Sequence, residues 1–415
     1  MQAEVRSQDI GRSIRRLDAW VAKNGWAGYD PYDIRACGLF RKMETPGGTG
    51  TAARLLRTTA YRAEFHFPLL LRRLLRVRKQ INPKGMGLFA RAYLNLYAAT
   101  GEAIYRQKAV ECLDWLLAHP AAGVQGLGWG YPFDWQSRVL IPRGTPSAVV
   151  SSVVGDAFWT AHELLRDPRY LETCMHICTF FEQDLNVSEP AAGCVCFSYT
   201  PIDNFQVHNA NLFVAEFLTR VGKATKDETR CRLGLAAAAF ALREQNPDGS
   251  LYYWGRDQDA FAPRHIDHYH SGFEIRALTG LWQNTGNDAF RDAFHRYYAF
   301  YRSRLFSWND DACIPLTYPN RDAPVNIHSC AEAILCNTRV RGEFPGARDL
   351  ALGTFRWTVD RMQNRDGSFG FAGSPDRQLA SIPYIRWGQA WMLLALSELY
   401  RAESPGAADL PEPAS

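Results

Sequence analysis

The same seven-residue phrase stands twice in the chain, 118 residues apart: Gln245-Asn246-Pro247-Asp248-Gly249-Ser250-Leu251 and Gln363-Asn364-Arg365-Asp366-Gly367-Ser368-Phe369. Each copy ends an apolar helical run with a turn built on Asp-Gly, where glycine supplies a positive φ and the aspartate bonds its own backbone. The offset implies two repeat units of about 59 residues. At that period, apolar helical runs open near Pro83, Pro146, Gln206, Ile266, Asn326 and Pro383, separated by 63, 60, 60, 60 and 57 residues.

Each run leads into a short turn and a second helix. The turns are Thr100-Gly101-Glu102, Arg166-Asp167-Pro168-Arg169, Thr225-Lys226-Asp227 and Thr285-Gly286-Asn287-Asp288. Gly ends one helix and Asp, Asn or Thr caps the next, the chemistry of a helical hairpin. Second helices are predicted over 104–118, 168–184, 227–245, 288–305 and 346–363. Six first helices face five second ones, so the missing partner comes from upstream, where 9–23 and 53–75 both read as helical. An open array would need polar capping repeats, and the last helix, Ile385 to Leu399, is too apolar for that. The pattern therefore predicts an all-α fold, an (α/α)6 toroid of six hairpins in a closed ring with almost no sheet. Residues 1–402 are expected to form one domain, and 403–415, rich in Pro, Ala and acidic residues, a disordered tail.

Charge narrows the partners. The 47 basic and 43 acidic residues leave a net +4, which gives no reason to expect a nucleic acid. The basic cluster Arg72-Arg73-Leu74-Leu75-Arg76-Val77-Arg78-Lys79 reads as a solvated helix end rather than a membrane or polyanion patch, although it could attract an acidic glycan. No run of 18 apolar residues would span a membrane. The polar stretch Met1 to Arg16 lacks the apolar core of a secretory segment, so a cytoplasmic location is expected. The ten scattered cysteines are then expected to be free thiols.

In a ring of hairpins the segments entering the inner helices share one mouth and the exit turns share the other. The entry segments hold the unusual chemistry: Asp134-Trp135-Gln136-Ser137-Arg138, Ser198-Tyr199-Thr200-Pro201, His208-Asn209, Arg264-His265-Ile266-Asp267-His268-Tyr269-His270, Tyr318-Pro319, Asn326-Ile327-His328 and Arg386-Trp387. Asn, Asp and Thr there serve as helix caps. Capping does not call for His208, His270 and His328 one turn into three helices. Aromatic faces beside neutral polar groups suit sugar rings, and the expected partner is a polysaccharide or oligosaccharide. A prenyl substrate would want an acid cluster of the Asp-Asp-x-x-Asp kind. None is present, and the pair Asp310-Asp311 falls in a loop between units. Neither a metal nor a cofactor is expected: His268 and His270 diverge by about 200° on a helix, and no His-Glu-x-x-His occurs, which leaves a zinc site shared by His208, His270 and His328 as the alternative.

Several segments carry a resemblance. Gly28-Tyr29-Asp30-Pro31-Tyr32-Asp33, Phe133 to Arg138, Phe197 to Pro201, Ile266 to Gly272 and Asn326 to Ser329 resemble α/α-toroid proteins of bacterial polysaccharide-biosynthesis loci, often mislabelled δ-aminolevulinic acid dehydratase. The likeness runs over most of residues 20–400 and implies the toroid and a polysaccharide context, but no mechanism. His268 departs from it, since Asn is usual there. A weaker likeness, over Pro83-Lys84-Gly85-Met86-Gly87 and Tyr131 to Pro146, is to the α/α domain of glucuronyl C5-epimerases. Unsaturated glucuronyl hydrolases share the toroid, but no matching catalytic motif is found.

Three functions follow. The favoured one is C5 proton abstraction on a uronic-acid residue, by an epimerase or a lyase, which needs a cation for the carboxylate and groups to move a proton. Arg138 or Arg264 is the candidate cation, with His270, His208 or a tyrosine as base and acid and His328 as a further catalytic candidate. The second is glycoside hydrolysis by two carboxyl groups, Asp134 and Asp267. The third is a non-catalytic glycan-binding or assembly protein. Trp135, Gln136, Tyr199, Asn209, Tyr318, Arg386 and Trp387 are the expected substrate contacts.

Overall fold

The inner helices begin where a short polar side chain meets an orphan backbone amide. Asn82, Ser147, Asp267 and Asn326 accept from the amides of Lys84, Val150, His270 and His328, and Asp167, Asp227 and Asn287 do the same for outer helices. The computed structural model describes residues 2–44, 51–261, 264–309, 312–321 and 324–404. Most of the expected tail, 405–415, lies outside the described residues, as do Asp310 and Asp311.

Among the described residues there are fifteen α-helices. The first is α1 (Gln2–Asn24), followed by the short α2 (Gly38–Glu44), α3 (Thr51–His66) and α4 (Pro68–Leu74). The hairpins are α5 and α6 (Pro83–Thr100, Ala103–Ala118), α7 and α8 (Ala148–Leu165, Pro168–Gln183), α9 and α10 (His208–Thr225, Glu228–Glu244), α11 and α12 (His268–Thr285, Asp288–Arg304), and α13 and α14 (Ile327–Arg339, Ala347–Met362). A π-helical turn, Ile385–Ala390, leads into α15 (Trp391–Glu403).

Helices α5, α7, α9, α11, α13 and α15 pack each against the next, and α15 closes on α5. Around them lie α6, α8, α10, α12 and α14, with α1 against α15. The result is the (α/α)6 toroid. Inner helices are buried nearly all round: every residue of α13 from Ile327 to Asn337 is buried, as a helix enclosed on all sides requires. The strands among the described residues are short, none over five residues. They form five small two- or three-stranded sheets in or beside the segments entering the inner helices.

The repeated phrase has a structural meaning. In each copy the aspartate takes the backbone and hydroxyl of the following serine (Ser250 on Asp248, Ser368 on Asp366), and the asparagine side chain donates to that same serine hydroxyl. Gln245 Nε2 then donates to the Ala293 carbonyl of α12 at 2.9 Å, and Gln363 Nε2 to the Ser13 carbonyl of α1 at 3.1 Å. Gly249 (φ 88°) and Gly367 (φ 96°) touch the same two helices. A Cβ would fall 2.5 Å from the Arg296 backbone and 2.2 Å from that of Arg16. The phrase clips one outer helix to the next, and its second copy treats α1 as its first treats α12. That places α1 as the sixth outer helix, while α3 and α4 stand apart from the ring.

Candidate active site

The floor of the entry mouth is basic and aromatic. Arg386, in the π turn, is 1% exposed and grips Asp30 with both prongs, Nε to Oδ2 at 2.6 Å and Nη2 to Oδ1 at 2.7 Å. Its guanidinium lies 5.0 Å from the ring centres of both Tyr131 and Trp387. Asp30 comes from the strand-and-turn segment after α1, whose strand Ala27–Gly28 pairs with Gln80–Ile81 just before α5. Gly28 is required there, since a Cβ would sit 2.4 Å from Ile385. Behind Asp30, buried Arg72 of α4 donates to Asp33 and to the Asp30 carbonyl. Burial pushes Asp33 up to about 6 against the pull of Arg72.

Lys84, on the first turn of α5, is buried, with Nζ 5.4 Å from the Trp391 ring centre and 5.7 Å from that of Phe273. Burial, reinforced by Arg386, holds its amine well below the usual lysine range. His328 packs on the same Trp391 ring as Lys84. It stacks on Tyr269 at 4.6 Å and meets Trp387 at 4.5 Å and Trp391 at 4.8 Å, and neither ring nitrogen has a hydrogen-bond partner. Burial, then Lys84 and Arg386, keep it neutral.

Above this floor stands one carboxylate with two imidazoles. Asp267 caps α11 through Oδ1, and its Oδ2 receives both His270 Nδ1 at 2.7 Å and His265 Nε2 at 2.9 Å. Burial alone would raise this carboxyl, but the two histidines overcome that and hold it well below the usual carboxylate range. His270 is 19% exposed on its side chain and His265 36%. His270 lies between the rings of Tyr253 (4.6 Å) and Tyr269 (4.3 Å), and its Nε2 is the nitrogen not engaged with the carboxylate. Burial raises the phenols of Tyr253, Tyr269, Tyr131 and Tyr199, which therefore remain protonated. His265, Asp267 and His270 present three ligand atoms within 4.8 Å of one another, the one such grouping among the described residues that could hold a metal ion.

Of the residues singled out in sequence, Asp267, His270, His328, Trp387 and Arg386 come together here. Trp387 donates to Asn326 at 2.8 Å, which fixes its ring against His328. Tyr199 and Trp135 lie edge to face at 5.4 Å, beside Tyr131. Tyr318 borders His265 at 5.6 Å. Arg138 lies over Trp254 (4.7 Å), which abuts Tyr253, so it stands at the rim; Arg264 lies over Tyr252.

Others are turned elsewhere. His208 stacks on Phe240 of the outer helix α10, with Nε2 3.8 Å from Glu244, and does not join the cluster. Asn209 is buried with its Oδ1 unpaired. Gln136 bonds the Ser137 carbonyl. Asp134 is engaged by Arg41 at 3.1 Å and the Arg143 amide at 2.9 Å. His268, where the resemblance has Asn, faces away from the mouth. Its Nδ1 meets the carbonyls of Leu305 and Leu316 at 3.1 Å, so this nitrogen carries the proton, and Nε2 accepts from Tyr301 at 2.6 Å.

Sequence reasoning missed Lys84 and Asp30 as members of the site, and it missed the opposite mouth altogether. There, one charged residue from each inner helix turns to the axis: Arg91, Asp156, Glu216, Arg276, Glu332 and Glu398, joined by Arg220 and Arg339. Arg91 pairs with Asp156 and Glu398, Arg220 with Asp156 and Glu216, and Arg276 with Glu332 at 2.6 and 2.9 Å; Arg339 lies near Glu398 and Glu216. A small recess lined by Arg91, Asp156, Glu216, Arg276, Phe213 and Trp391 lies between these pairs and the Trp391 ring. The signal was present in the sequence, because five of the six inner-helix charges sit five or eight residues after their helix starts.

No protein-family model matches the chain, and no curated protein sequence matches it. Solved structures match in fold. A D-mannose isomerase aligns with TM-score 0.60 at 13% identity over 77% of this chain and 86% of its own. A cellobiose 2-epimerase from Spirochaeta thermophila gives 0.59 at 15%, over 78% and 86%. A family 76 mannosidase from Bacteroides thetaiotaomicron gives 0.59 at 10%, over 94% and 97%. At such identities the likeness shows the toroid alone.

Proposed function

We propose that the protein is a sugar-processing enzyme whose entry mouth moves a proton at a carbon next to a carbonyl or carboxyl group. The carrying observation is the shared carboxylate: Asp267 orients His270 and His265 through one oxygen and leaves His270 Nε2 unengaged between two protonated phenols. A histidine so held is a general base, and the adjacent carboxylate stabilises the imidazolium that forms. His265 or a neighbouring phenol returns the proton, and the buried aromatic floor excludes water from the carbanion or enediol. Two fold neighbours are named as an isomerase and a 2-epimerase of sugars, which supports chemistry of this class.

Two positions on a sugar meet the requirement: C2 of an open-chain aldose, beside the C1 carbonyl, and C5 of a uronic-acid residue, beside the C6 carboxylate. The C5 reading also needs a cation, for which Arg138 at the rim is the candidate, since Arg386 is committed to Asp30. Hydrolysis by Asp134 and Asp267 has less support. The first carboxylate is tied to Arg41, and the second is held ionised between histidines, where a general acid must keep its proton.

The test is incubation in D2O with mannose, cellobiose and uronate oligosaccharides, read by NMR. Deuterium at C2 or at C5 is the expected result and assigns the position, and a 4,5-unsaturated product would assign a lyase. A new reducing end without exchange would establish hydrolysis instead. Binding without any exchange or cleavage would make the protein a glycan-binding one, and either result overturns the proposal.

A further inference from the structure

Residues 51–79 belong to no hairpin of the ring. They form α3 and α4 and return to the strand Gln80–Ile81 that enters α5. Their composition is unlike the rest: eight basic residues, one acidic residue (Glu64), and a positive excess larger than the net +4 of the whole chain. Their apolar side chains are unlike the rest as well. Leu55, Leu56, Phe67, Leu69, Leu70 and Leu74 are 45–68% exposed, six of the thirteen large hydrophobic side chains that stand exposed among the described residues. Between and beside them Arg57, Arg62, Arg73, Arg76, Arg78 and Lys79 are exposed too. A cluster of exposed apolar side chains on one short excursion marks an interaction surface.

The inner side of the excursion is fixed. Arg72 is buried in hydrogen bonds to Asp33 and the Asp30 carbonyl and lies 5.0 Å from the Tyr384 ring centre, while Arg35 bridges the rings of Tyr61 and Tyr32. Tyr32 in turn meets Trp387, and Asp30 holds Arg386. The excursion is thus anchored on the framework of the entry mouth, and it presents leucines and cations outward beside that mouth.

We infer that this excursion is a docking surface for an anionic lipid bilayer. Leucine and phenylalanine enter the acyl boundary, and the flanking arginines and lysine meet lipid phosphates, the pairing by which interfacial helices bind membranes. A polyanion in solution would engage the cations but leave the six apolar side chains in water. A second copy of the chain would bring two strongly positive faces together, which like-charge repulsion opposes. A bilayer with anionic headgroups satisfies both halves of the surface. The docked molecule would hold its entry mouth at the membrane face, within reach of a glycan carried on a lipid. The inference is independent of which reaction the mouth performs.

Flotation with vesicles tests it on the intact chain. Vesicles of phosphatidylcholine with 30% phosphatidylglycerol, on the order of a physiological anionic content, should bind the protein, and pure phosphatidylcholine vesicles should bind it at least about tenfold more weakly. Each of Arg73→Gln, Arg76→Gln and Lys79→Gln should weaken binding by about fivefold at low salt. The triple variant Leu69→Ser, Leu70→Ser, Leu74→Ser should abolish it, with unchanged thermal unfolding and unchanged solution activity, because these side chains lie outside the ring. Absence of binding to anionic vesicles, or equal binding to neutral ones, would overturn the inference. So would a stable dimer in sedimentation equilibrium that the leucine variant dissociates.

Discussion

The two mouths of the ring are built from the same six helices and treated in opposite ways. At the exit mouth the turns are short, and the axis is filled by guanidinium–carboxylate pairs: Arg91 with Asp156 and Glu398, Arg220 with Glu216, Arg276 with Glu332. There four arginines face four carboxylates, and the charges balance. At the entry mouth the segments are long, and buried titratable groups are left without a matching ion. His328 has no partner, Lys84 packs on aromatic rings, and His270 leaves one nitrogen unengaged. Paired ions hold six helices around an axis, whereas buried titratable groups without a matching ion cost stability and mark a candidate functional site. The difference fits a structural role at one end and supports the reaction proposed for the other.

The sharpest way to break that comparison is to remove one group from each mouth. His270→Ala should lower turnover by about 10²- to 10⁴-fold with little change in KM, since a proton-moving group acts mainly in the transition state. Its thermal unfolding should move less than that of the next variant, because Asp267 keeps His265 and the backbone amide of residue 270 as donors. Arg276→Ala should do the reverse. It strands the Glu332 carboxylate, which is 0% exposed, and should destabilise the fold by roughly 3–5 kcal/mol, measured by urea unfolding, while the folded fraction keeps its turnover. Equal losses of turnover in the two variants would erase the division of labour.

How much of this was legible without coordinates depends on whether the signal was periodic. The Asp-Gly turns recur because each clips a helix to its neighbour, so their spacing carried the architecture, and the inner helices start within two residues of most sequence-derived openings. The axial charges recur too, but each in isolation reads as an ordinary surface residue, and only the ring brings them together. Side-chain direction was less accessible. His268 and His270 lie two apart on α11 and point to opposite sides, yet only the Asp267 cap fixes which one faces the mouth. His208 occupies the same first-turn position on α9 as His268 on α11 and, like it, faces the outer helix. The Asp30–Arg386 pair joins residues 356 apart, a distance that no local pattern encodes.

A smaller effect shows His268 at work through pH. Burial lowers its pKa from 6.5 to about 3. The unfolded chain therefore takes up a proton below pH 6.5 while the folded chain does not until about pH 3, so stability must fall as pH falls through that window. Between pH 6.5 and 5 this one residue should withdraw about 2 kcal/mol. The comparison is urea unfolding of the wild type and His268→Gln across that range. The variant starts less stable, having lost its bond with Tyr301, but should show the shallower slope. Parallel slopes would mean that His268 is protonated in the fold.

The smallest expected effect probes the join between cap and floor. Asn326 Oδ1 serves two donors, the His328 amide that opens α13 and the indole N–H of Trp387 at 2.8 Å. Asn326→Ala should cost about 1 kcal/mol through the lost cap. It also frees Trp387, which lies edge-on to His328 and under the Arg386 guanidinium. A sugar that stacks on that ring should then bind more weakly, raising KM severalfold with little loss of turnover. Asn326→Asp keeps an acceptor for both donors and adds a negative charge favourable at a helix N-terminus, so it should restore stability and KM together. If Asp restores stability but not KM, Trp387 is not a binding wall, and the aromatic floor serves only to keep the histidines dry.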